Sequence, residues 1–292
     1  MRDWQPSLKN VTLTSKANKL EQPKPEHHPM SYKTILFNVT DGVAKLVLNR
    51  PDKLNSFTAE MHKEIRTCLK VIESDDTIRC LLITGSGRGF CAGQDLNDRD
   101  VSADAQSPDL GLSLEKNYNP LLRRLKALEK PVVCAVNGVA AGAGANIALA
   151  CDIVLAARSA SFIQSFSKIG LVPDSGGTWS LPQIVGHARA MALSLLAEKV
   201  PAEQAEKWGM IWKCIDDEEL LPEAEKLAAS LANQPTKGLG YIKRAINASS
   251  TNTFDQQLDL ERDLQRIAGR TQDYREGVNA FINKRKPKFV GQ

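Results

Sequence analysis

The sequence predicts an α/β fold, in which a core of short strands alternating with helices is followed by an almost wholly helical C-terminal part. Three observations support this prediction. The turn signal Asp41-Gly42 separates two apolar runs and indicates a hairpin. Between residues 58 and 156, helical repeats alternate with strand-like runs, as in right-handed β-α-β units. Beyond Pro182, helical periodicity dominates.

The strands of the predicted core are apolar runs bounded by turn residues. We expect them at 34–39, 43–48, 80–84, 132–136 and 153–156. Helical periodicity predicts core helices at 58–73, 123–128 and 144–150. In the first helix one apolar stripe should face the core, formed by Phe57, Met61, Ile65, Leu69 and Ile72. His62 falls outside this stripe, so we expect it on the solvent side, and no histidine is a candidate for catalysis.

The C-terminal part is predicted to be a helical layer on this core. We expect its helices at 188–196, 202–208, 222–232, 237–248, 254–267 and 273–284. Three regions follow from these patterns. Residues 1–30 are polar, rich in proline and aperiodic, which predicts a disordered extension. Residues 31–195 form the core with the functional site, and residues 196–292 form the helical region.

The composition argues against several classes of protein. With 38 basic and 34 acidic residues, the net charge of +4 is too small and too scattered for a nucleic-acid surface. The six cysteines lack the spacing of a metal site or a disulfide framework, which is typical of reduced thiols in the cytoplasm. No apolar stretch is long enough to predict a membrane span. We therefore expect a cytoplasmic protein with no bound metal and no membrane or nucleic-acid partner.

Asp174 is the strongest candidate for a catalytic side chain. It is a lone carboxylate in the apolar, turn-forming segment 170–179, which has no basic residue. A carboxylate in such surroundings is suited to accept a proton from a substrate. An equally simple interpretation of this residue is that Asp174 caps the helix that follows it.

Two glycine-rich turns, at 89–96 and 137–145, are candidates for binding a substrate through the backbone. Because their side chains are small, a ligand could approach the N–H groups closely, and two such groups can stabilise negative charge on a substrate oxygen. Glycine-rich turns also serve chain reversal and tight packing, so this alternative stays open. Nucleotide binding through Gly142-Ala143-Gly144 is disfavoured, because no P-loop lysine follows.

Taken in order and spacing, these segments resemble the crotonase (enoyl-CoA hydratase/isomerase) superfamily. The matching pieces lie at 48–51 with Asn55, 89–96, 137–152, 170–178 and 276–281, and the resemblance spans residues 32–289. It implies a crotonase-type spiral of β-β-α units with a C-terminal helical trimerisation region. It also implies a homotrimer or a dimer of trimers that acts on acyl-CoA thioesters, with coenzyme A as part of the substrate and no separate cofactor.

The resemblance also implies which residues contact the acyl-CoA. In the family pattern, the oxyanion hole uses the backbone N–H groups at the positions of Gln94 and Ala143. Further contacts with the acyl-CoA are expected from Gln94, Asp95, Leu96, Asn97, Phe166 and Lys284. Asp95 also suits a turn-forming or capping role. Lys284 would reach the CoA phosphates of a neighbouring subunit, although its basic run, 284–288, equally suits a solvated tail.

The departures from the family pattern narrow the expected reaction. Hydratases of the family carry water-activating glutamates at the positions of Asn146 and Phe166, so hydration is not expected here. Isomerases place an aspartate at the position of Asp174. Asn146 could then orient the substrate or bond to the backbone. Phe166 and Trp179 could wall an aromatic-sized acyl pocket or belong to the core.

Within the superfamily, segments 92–96, 166–179 and 257–263 resemble the isomerases of aerobic phenylacetate breakdown. These convert ring-1,2-epoxyphenylacetyl-CoA to its oxepin form and can move double bonds in enoyl-CoA thioesters. The resemblance therefore implies a 1,3-proton transfer by Asp174. The alternatives are a Δ3,Δ2-enoyl-CoA isomerase of fatty-acid oxidation, an enoyl-CoA hydratase, or a non-catalytic RNA-binding relative.

Overall fold

The computed structural model describes residues 32–98 and 109–292, so the extension predicted at 1–30 lies outside the described residues. The strands of the described part are β1 (Ile35–Thr40), β2 (Val43–Leu48), β3 (Cys80–Gly85), β4 (Gly89–Cys91), β5 (Val132–Val136), β6 (Val139–Ala141), β7 (Ile153–Ala157), β8 (Ser161–Ile163), β9 (Lys199–Pro201) and β10 (Lys213–Ile215). Its α-helices are α1 (Ala59–Ser74), α2 (Leu110–Ser113), α3 (Asn119–Ala127), α4 (Ala143–Leu149), α5 (Gly177–Val185), α6 (His187–Leu196), α7 (Ala202–Lys207), α8 (Leu220–Ala232), α9 (Thr236–Ser249), α10 (Phe254–Ala268) and α11 (Gln272–Ile282).

The larger sheet has the strand order β1-β2-β3-β5-β7-β10. Strands β1 and β2 are antiparallel, and the remaining neighbours run parallel. The predicted hairpin is confirmed, with φ of +48° at Asp41 and +78° at Gly42. Positive φ at both central residues gives a two-residue turn whose twist matches that of the strands. Strands β3 and β5 are buried almost throughout, as expected of strands covered on both faces.

A second sheet of four strands, in the order β4-β6-β8-β9, was not predicted. Each of its strands has three residues, too few to show an alternating pattern. Strands β4 and β6 lie inside the two segments that the sequence marks as glycine-rich turns. The chain passes from β3 to β4, from β5 to β6 and from β7 to β8, and in each case helical segments follow. This repetition is the predicted series of β-β-α units.

Strands β9 and β10 lie beyond residue 195, where the helical region was predicted to begin, and both pair with strands of the core. Strand β9 pairs antiparallel with β8, and β10 pairs parallel with β7. Helix α8 then packs against β3, β5 and β7. The helices from α9 onward form the remaining C-terminal layer.

The nine helices predicted with bounds all occur, and their bounds agree closely except at α3; α2 was not predicted, and α5 was predicted only as a helix after Asp174. This helix was predicted from residue 123 but begins at Asn119, directly after a π-helical turn at Leu114–Tyr118. Helix α1 begins where predicted, because the Thr58 side chain accepts a hydrogen bond from the Met61 N–H and caps the first turn. Its predicted apolar stripe is buried.

The prediction that His62 faces solvent is wrong. The imidazole is only 3% exposed, and its ring centroid lies 4.7 Å from that of Phe57 and 4.4 Å from that of Tyr118. Tyr118 comes from the π-helical turn, which covers a side of α1 that its own periodicity marks as polar. Burial lowers the pKa of His62 to about 3. In the described part of the chain, its Nε2 atom has no hydrogen-bond partner.

At its C-terminal end the chain folds back onto α11. The buried Asp273 carboxylate accepts hydrogen bonds from the N–H groups of Val290, at 2.7 Å, and Gly291, at 2.8 Å. Arg79, next to β3, donates to the Phe289 carbonyl at 3.0 Å. Helix α11 is thereby fastened to the core. No helix in the described ranges is long and apolar enough to cross a membrane.

Replacing His62 with leucine should remove one source of acid sensitivity. The ordinary pKa of 6.5 is lowered to about 3 in the folded protein, so the unfolded chain binds more protons between these values. The free energy of unfolding therefore falls as the pH decreases through this window, by about 1.4 kcal/mol per pH unit from this residue. Urea denaturation of the wild type and His62→Leu between about pH 7 and about pH 5 should show the variant losing less stability.

The matched control for this experiment is His187→Gln, which changes an exposed histidine. Equal losses of stability on acidification in the wild type and in His62→Leu would contradict the assignment of His62 as a buried neutral imidazole.

Candidate active site

The turn after β4 directs the N–H group of Gln94 to the side opposite Phe57. Phe57 forms a parallel bridge with Gln94: its N–H donates to the Gly93 carbonyl at 2.7 Å, and its carbonyl accepts from the Asp95 N–H at 2.9 Å. In parallel pairing, the residue between two such bonds points its own N–H and C=O to the other side. Among the described residues, the Gln94 N–H donates no hydrogen bond. It is a candidate donor to a ligand.

A second available N–H group lies at the start of α4. Ala143 is the first residue of this helix, after Gly142 at the N-cap with φ +53°, and its N–H points out of the first turn. Within the described ranges this group also donates no hydrogen bond. Helix α4 can lie directly on β4 because residue 144 is glycine: a Cβ atom there would lie 2.4 Å from the Cys91 carbonyl oxygen.

The two N–H groups belong to turns that touch each other. A Cβ atom on Gly93 would lie 3.5 Å from the amide nitrogen of Ala143 and 3.0 Å from the carbonyl oxygen of Ala141. The two turns can therefore lie this close only because residue 93 has no side chain. Its φ of +88° is also a conformation that favours glycine. Two neighbouring backbone donors of this kind can stabilise negative charge on one substrate oxygen.

Asp95 supports this turn from inside the protein. Its carboxylate lies 2.8 Å from the Arg50 guanidinium and accepts hydrogen bonds from the N–H group and the side chain of Asn97, at 3.1 and 3.0 Å. The Arg50 hydrogen bond is the main cause of a pKa below the usual value for this buried carboxyl group. These contacts agree with the turn-forming role for Asp95. Sequence reasoning gave no role to Arg50, although it lies in a matching motif.

Asn55 ties the Arg50 segment to the strand that precedes the turn. It is fully buried, with φ +54°, and its Oδ1 atom accepts a hydrogen bond from the Arg50 N–H at 2.8 Å. Its Nδ2 atom donates to the carbonyls of Ser86, at 2.9 Å, and Gly89, at 2.8 Å. The family motif around residues 48–55 thus acts as a support for the turn at Gln94.

Asn146 connects α4 to the segment that carries Asp174. Its Nδ2 atom donates to the main-chain carbonyl of Asp174 at 2.8 Å, and its Oδ1 atom accepts from Gln164 at 2.8 Å. Gly177 lies so close that a Cβ atom there would be 2.3 Å from Asn146 Nδ2. Of the two roles considered for Asn146, the structure shows the bond to the backbone. One amide therefore links the helix that begins at Ala143 to the candidate base.

The Asp174 carboxylate lies at a half-buried turn and is held by its neighbour. Ser175 Oγ donates to Asp174 Oδ1 at 2.8 Å, and the Gly177 N–H donates to the Asp174 carbonyl at 2.8 Å. The prediction that Asp174 is the N-cap of α5 is wrong, because Gly176 occupies that position.

The remaining predicted contacts occupy different environments. Phe166 is buried, and its ring packs against Gly142, where a Cβ atom would lie 3.6 Å from Phe166 Cζ. Trp179 is 47% exposed and borders a cavity of about 320 Å³ that Ser175 also lines. Leu96 and Asn97 are exposed in the turn after Gln94.

Lys284 is the last of the predicted contacts, and Tyr118 is a contact that was not predicted. Lys284 is exposed just after α11, and nothing in the described part of this chain joins it to the turn at Gln94. Tyr118 has no place in any recognised motif, so sequence reasoning missed it. Its hydroxyl nevertheless donates to Gln94 Oε1 at 2.9 Å. No group of three or more potential metal-binding side chains occurs within the described residues.

Comparisons with known proteins show the family of this chain. Residues 38–292 match the enoyl-CoA hydratase/isomerase family. The chain is 64% identical over 258 residues to the 1,2-epoxyphenylacetyl-CoA isomerase of Escherichia coli K12, covering 88% of this chain and 98% of that protein. It is 36% identical to the trans-2-decenoyl-[acyl-carrier-protein] isomerase of Streptococcus mutans, covering 90% of this chain and all of that one.

A solved structure shows the same fold. The crystal structure of the enoyl-CoA hydratase/isomerase from Cupriavidus metallidurans CH34 superposes with a TM-score of 0.83 at 32% identity, covering 90% of this chain and 98% of that chain. The family match and both relatives span nearly all of the described core and C-terminal layer. The chain therefore belongs to the enoyl-CoA hydratase/isomerase family, the crotonase superfamily that its sequence motifs resemble.

Proposed function

We propose that this protein is an acyl-CoA isomerase that shifts a C=C double bond by a 1,3-proton transfer through Asp174. As its substrate we propose ring-1,2-epoxyphenylacetyl-CoA, converted to oxepin-CoA in phenylacetate catabolism. The observation that carries the proposal is the Asn146 bridge, which joins the Asp174 turn to the helix that presents the Ala143 N–H group. The similarity to the isomerase of Escherichia coli supports the substrate.

The two backbone donors would act on the thioester oxygen. In this scheme the N–H groups of Gln94 and Ala143 bind that oxygen, which acidifies the α-carbon of the acyl group. When the α-proton leaves, negative charge moves onto the oxygen, where the two donors stabilise it more strongly than they bind the neutral thioester. Each donor contributes about 3 kcal/mol to lowering such a barrier.

Asp174 would carry the proton. The carboxylate takes the α-proton and gives a dienolate, and the resulting carboxylic acid returns the same proton to the γ-carbon. The carbonyl group of the thioester is thereby restored, and the double bond moves into conjugation with it. The ring epoxide is in equilibrium with its oxepin form, and this double-bond shift moves the equilibrium toward the oxepin. One carboxyl group is sufficient, because removal and return occur on the same face.

Hydration is disfavoured by the two positions where hydratases carry glutamates. Asn146 offers an amide whose donor and acceptor atoms are both engaged, and Phe166 offers a buried ring. Neither can take a proton from water. A Δ3,Δ2-enoyl-CoA isomerase would use the same Asp174 chemistry on an aliphatic chain, so the acyl group distinguishes these two functions.

We also propose a homotrimer, or a dimer of trimers, in the cytoplasm. Several large apolar side chains on α5, α6 and the C-terminal helices are about half exposed or more, namely Trp179, Leu195, Leu196, Ile246, Phe254 and Phe281. Contact with other subunits would bury this surface. In such an assembly Lys284 could reach the CoA phosphates of a neighbouring subunit. The six free cysteines are compatible with a reducing compartment.

The first test replaces Asp174 with asparagine. We expect turnover of a 3-enoyl-CoA to fall by roughly 10²- to 10⁴-fold, the usual contribution of a general base. Binding of a saturated acyl-CoA, measured by calorimetry, should be preserved, because Asn146 anchors the main chain rather than the side chain of residue 174. Asp76→Asn, at an exposed aspartate, is the control. A wild-type rate in Asp174→Asn would remove this residue from the mechanism.

The second test removes one oxyanion donor. Ala143 is the first residue of α4, where proline is tolerated, so Ala143→Pro deletes the N–H group without breaking the helix. We expect kcat to fall by roughly 10²- to 10³-fold. Ala59→Pro places proline at the same position of α1 and serves as the control. Equal rates in the two variants would argue against Ala143 as a donor.

The third test compares substrates directly. Because the Phe166 ring packs against Gly142, next to Ala143, and Trp179 borders the cavity that Ser175 lines, we expect preference for the aromatic-derived acyl group. The kcat/KM value for ring-1,2-epoxyphenylacetyl-CoA should exceed that for a straight-chain 3-enoyl-CoA by at least about tenfold. The reverse preference would favour the aliphatic isomerase.

A further inference from the structure

Tyr118 is a buried phenol directly behind the turn that carries Gln94. It is the last residue of the π-helical turn at Leu114–Tyr118, and it is 1% exposed. Its hydroxyl donates to Gln94 Oε1 at 2.9 Å. A π-helical turn is uncommon and is frequently found at functional sites, because it displaces a side chain from its ordinary helical direction.

Both polar atoms of the Gln94 side-chain amide form hydrogen bonds. Its Oε1 atom accepts from Tyr118, and its Nε2 atom donates to the carbonyl of the next residue, Asp95, at 3.3 Å. The side chain thus folds over its own turn and restricts the backbone torsions of Gln94. These torsions set the direction of the N–H group that we assign to the oxyanion hole.

The Tyr118 ring is itself fixed by two neighbours from the start of α1. Its centroid lies 5.8 Å from that of Phe57 and 4.4 Å from that of His62, with the imidazole edge-on at 83°. Phe57 also forms the two backbone bonds that flank Gln94. The same residue therefore places the backbone of the turn and the ring that anchors its side chain.

We infer that Tyr118 is a positioning residue of the oxyanion hole, which acts through the Gln94 side chain to aim the Gln94 N–H at the thioester oxygen. This inference rests on the proposed function. Tyr118 itself does not contact the reacting atoms. The competing explanation is that Gln94 merely satisfies the hydrogen-bonding need of a buried phenol, in which case the hydroxyl group has no effect on the reaction.

The decisive variant is Tyr118→Phe, which keeps the ring contacts with Phe57 and His62 and removes only the hydroxyl group. We expect kcat to fall by roughly tenfold, as one lost hydrogen bond would allow, with KM changed by less than about twofold. Tyr274→Phe, at a tyrosine of α11 that is 55% exposed, is the matched control. An unchanged kcat in Tyr118→Phe would overturn the inference.

A double-mutant cycle shows whether the effect passes through Gln94. Gln94→Met keeps the length of the side chain and removes its amide, while the backbone N–H remains. If Tyr118 acts through this amide, Tyr118→Phe should reduce kcat in the wild type and have no further effect in Gln94→Met. An equal reduction of kcat in both backgrounds would show that Tyr118 does not act through the Gln94 amide, and it would overturn the inference.

A spectroscopic measurement separates this inference from the proton transfer. The chromophoric thioester 4-dimethylaminocinnamoyl-CoA should absorb at longer wavelength when the oxyanion hole polarises its carbonyl group. We expect this red shift to be retained in Asp174→Asn and to shrink in Tyr118→Phe and in Gln94→Met. A full red shift in both latter variants overturns the role of Tyr118 and leaves the proposed function intact. Absence of acyl-CoA turnover in the wild type would refute the proposed function itself.

Discussion

The whole site depends on the close approach of α4 to the turn after β4. Gly144 allows the helix to lie on Cys91, and Gly93 allows the turn to lie beside the Ala143 amide. Two N–H groups from distant parts of the sequence become neighbours only because no side chain separates the backbones. The polar network of Arg50, Asn55 and Asp95 then holds the turn from the protein side, where a loose turn would misdirect its donor.

The position of Asn146 illustrates how one fold can carry two chemistries. A carboxylate there would activate water, whereas an amide donates a hydrogen bond and has no proton-accepting role at neutral pH. Here the amide donates a hydrogen bond to the Asp174 carbonyl and accepts one from Gln164. The Asn146 amide thus forms a structural link, and the proposed base, Asp174, lies at the other end of it. In the proposed mechanism, isomerisation is favoured over hydration because Asp174 can accept a proton and the amide of Asn146 cannot.

The sequence was sufficient for the elements with a clear period and for the turns with a motif. The buried strands β3, β5 and β7, the stripe of α1 and the hairpin at Asp41-Gly42 all agree with the structure. The second sheet was missed because strands of three residues have no measurable period. His62 was misplaced because its burial depends on Tyr118, which lies more than fifty residues further along the chain in an irregular turn. Local patterns cannot report contacts made by a distant irregular segment, and the support of Gln94 by Tyr118 was hidden for the same reason.

The bond from Asn146 ends on the main-chain oxygen of residue 174 and not on its carboxylate. This hydrogen bond therefore does not depend on the side chain at residue 174. A change of side chain at residue 174 therefore leaves the link between α4 and this loop available. The side chain of residue 174 is bonded separately, by the buried Ser175 hydroxyl, so a substitution there changes that contact and leaves the backbone link.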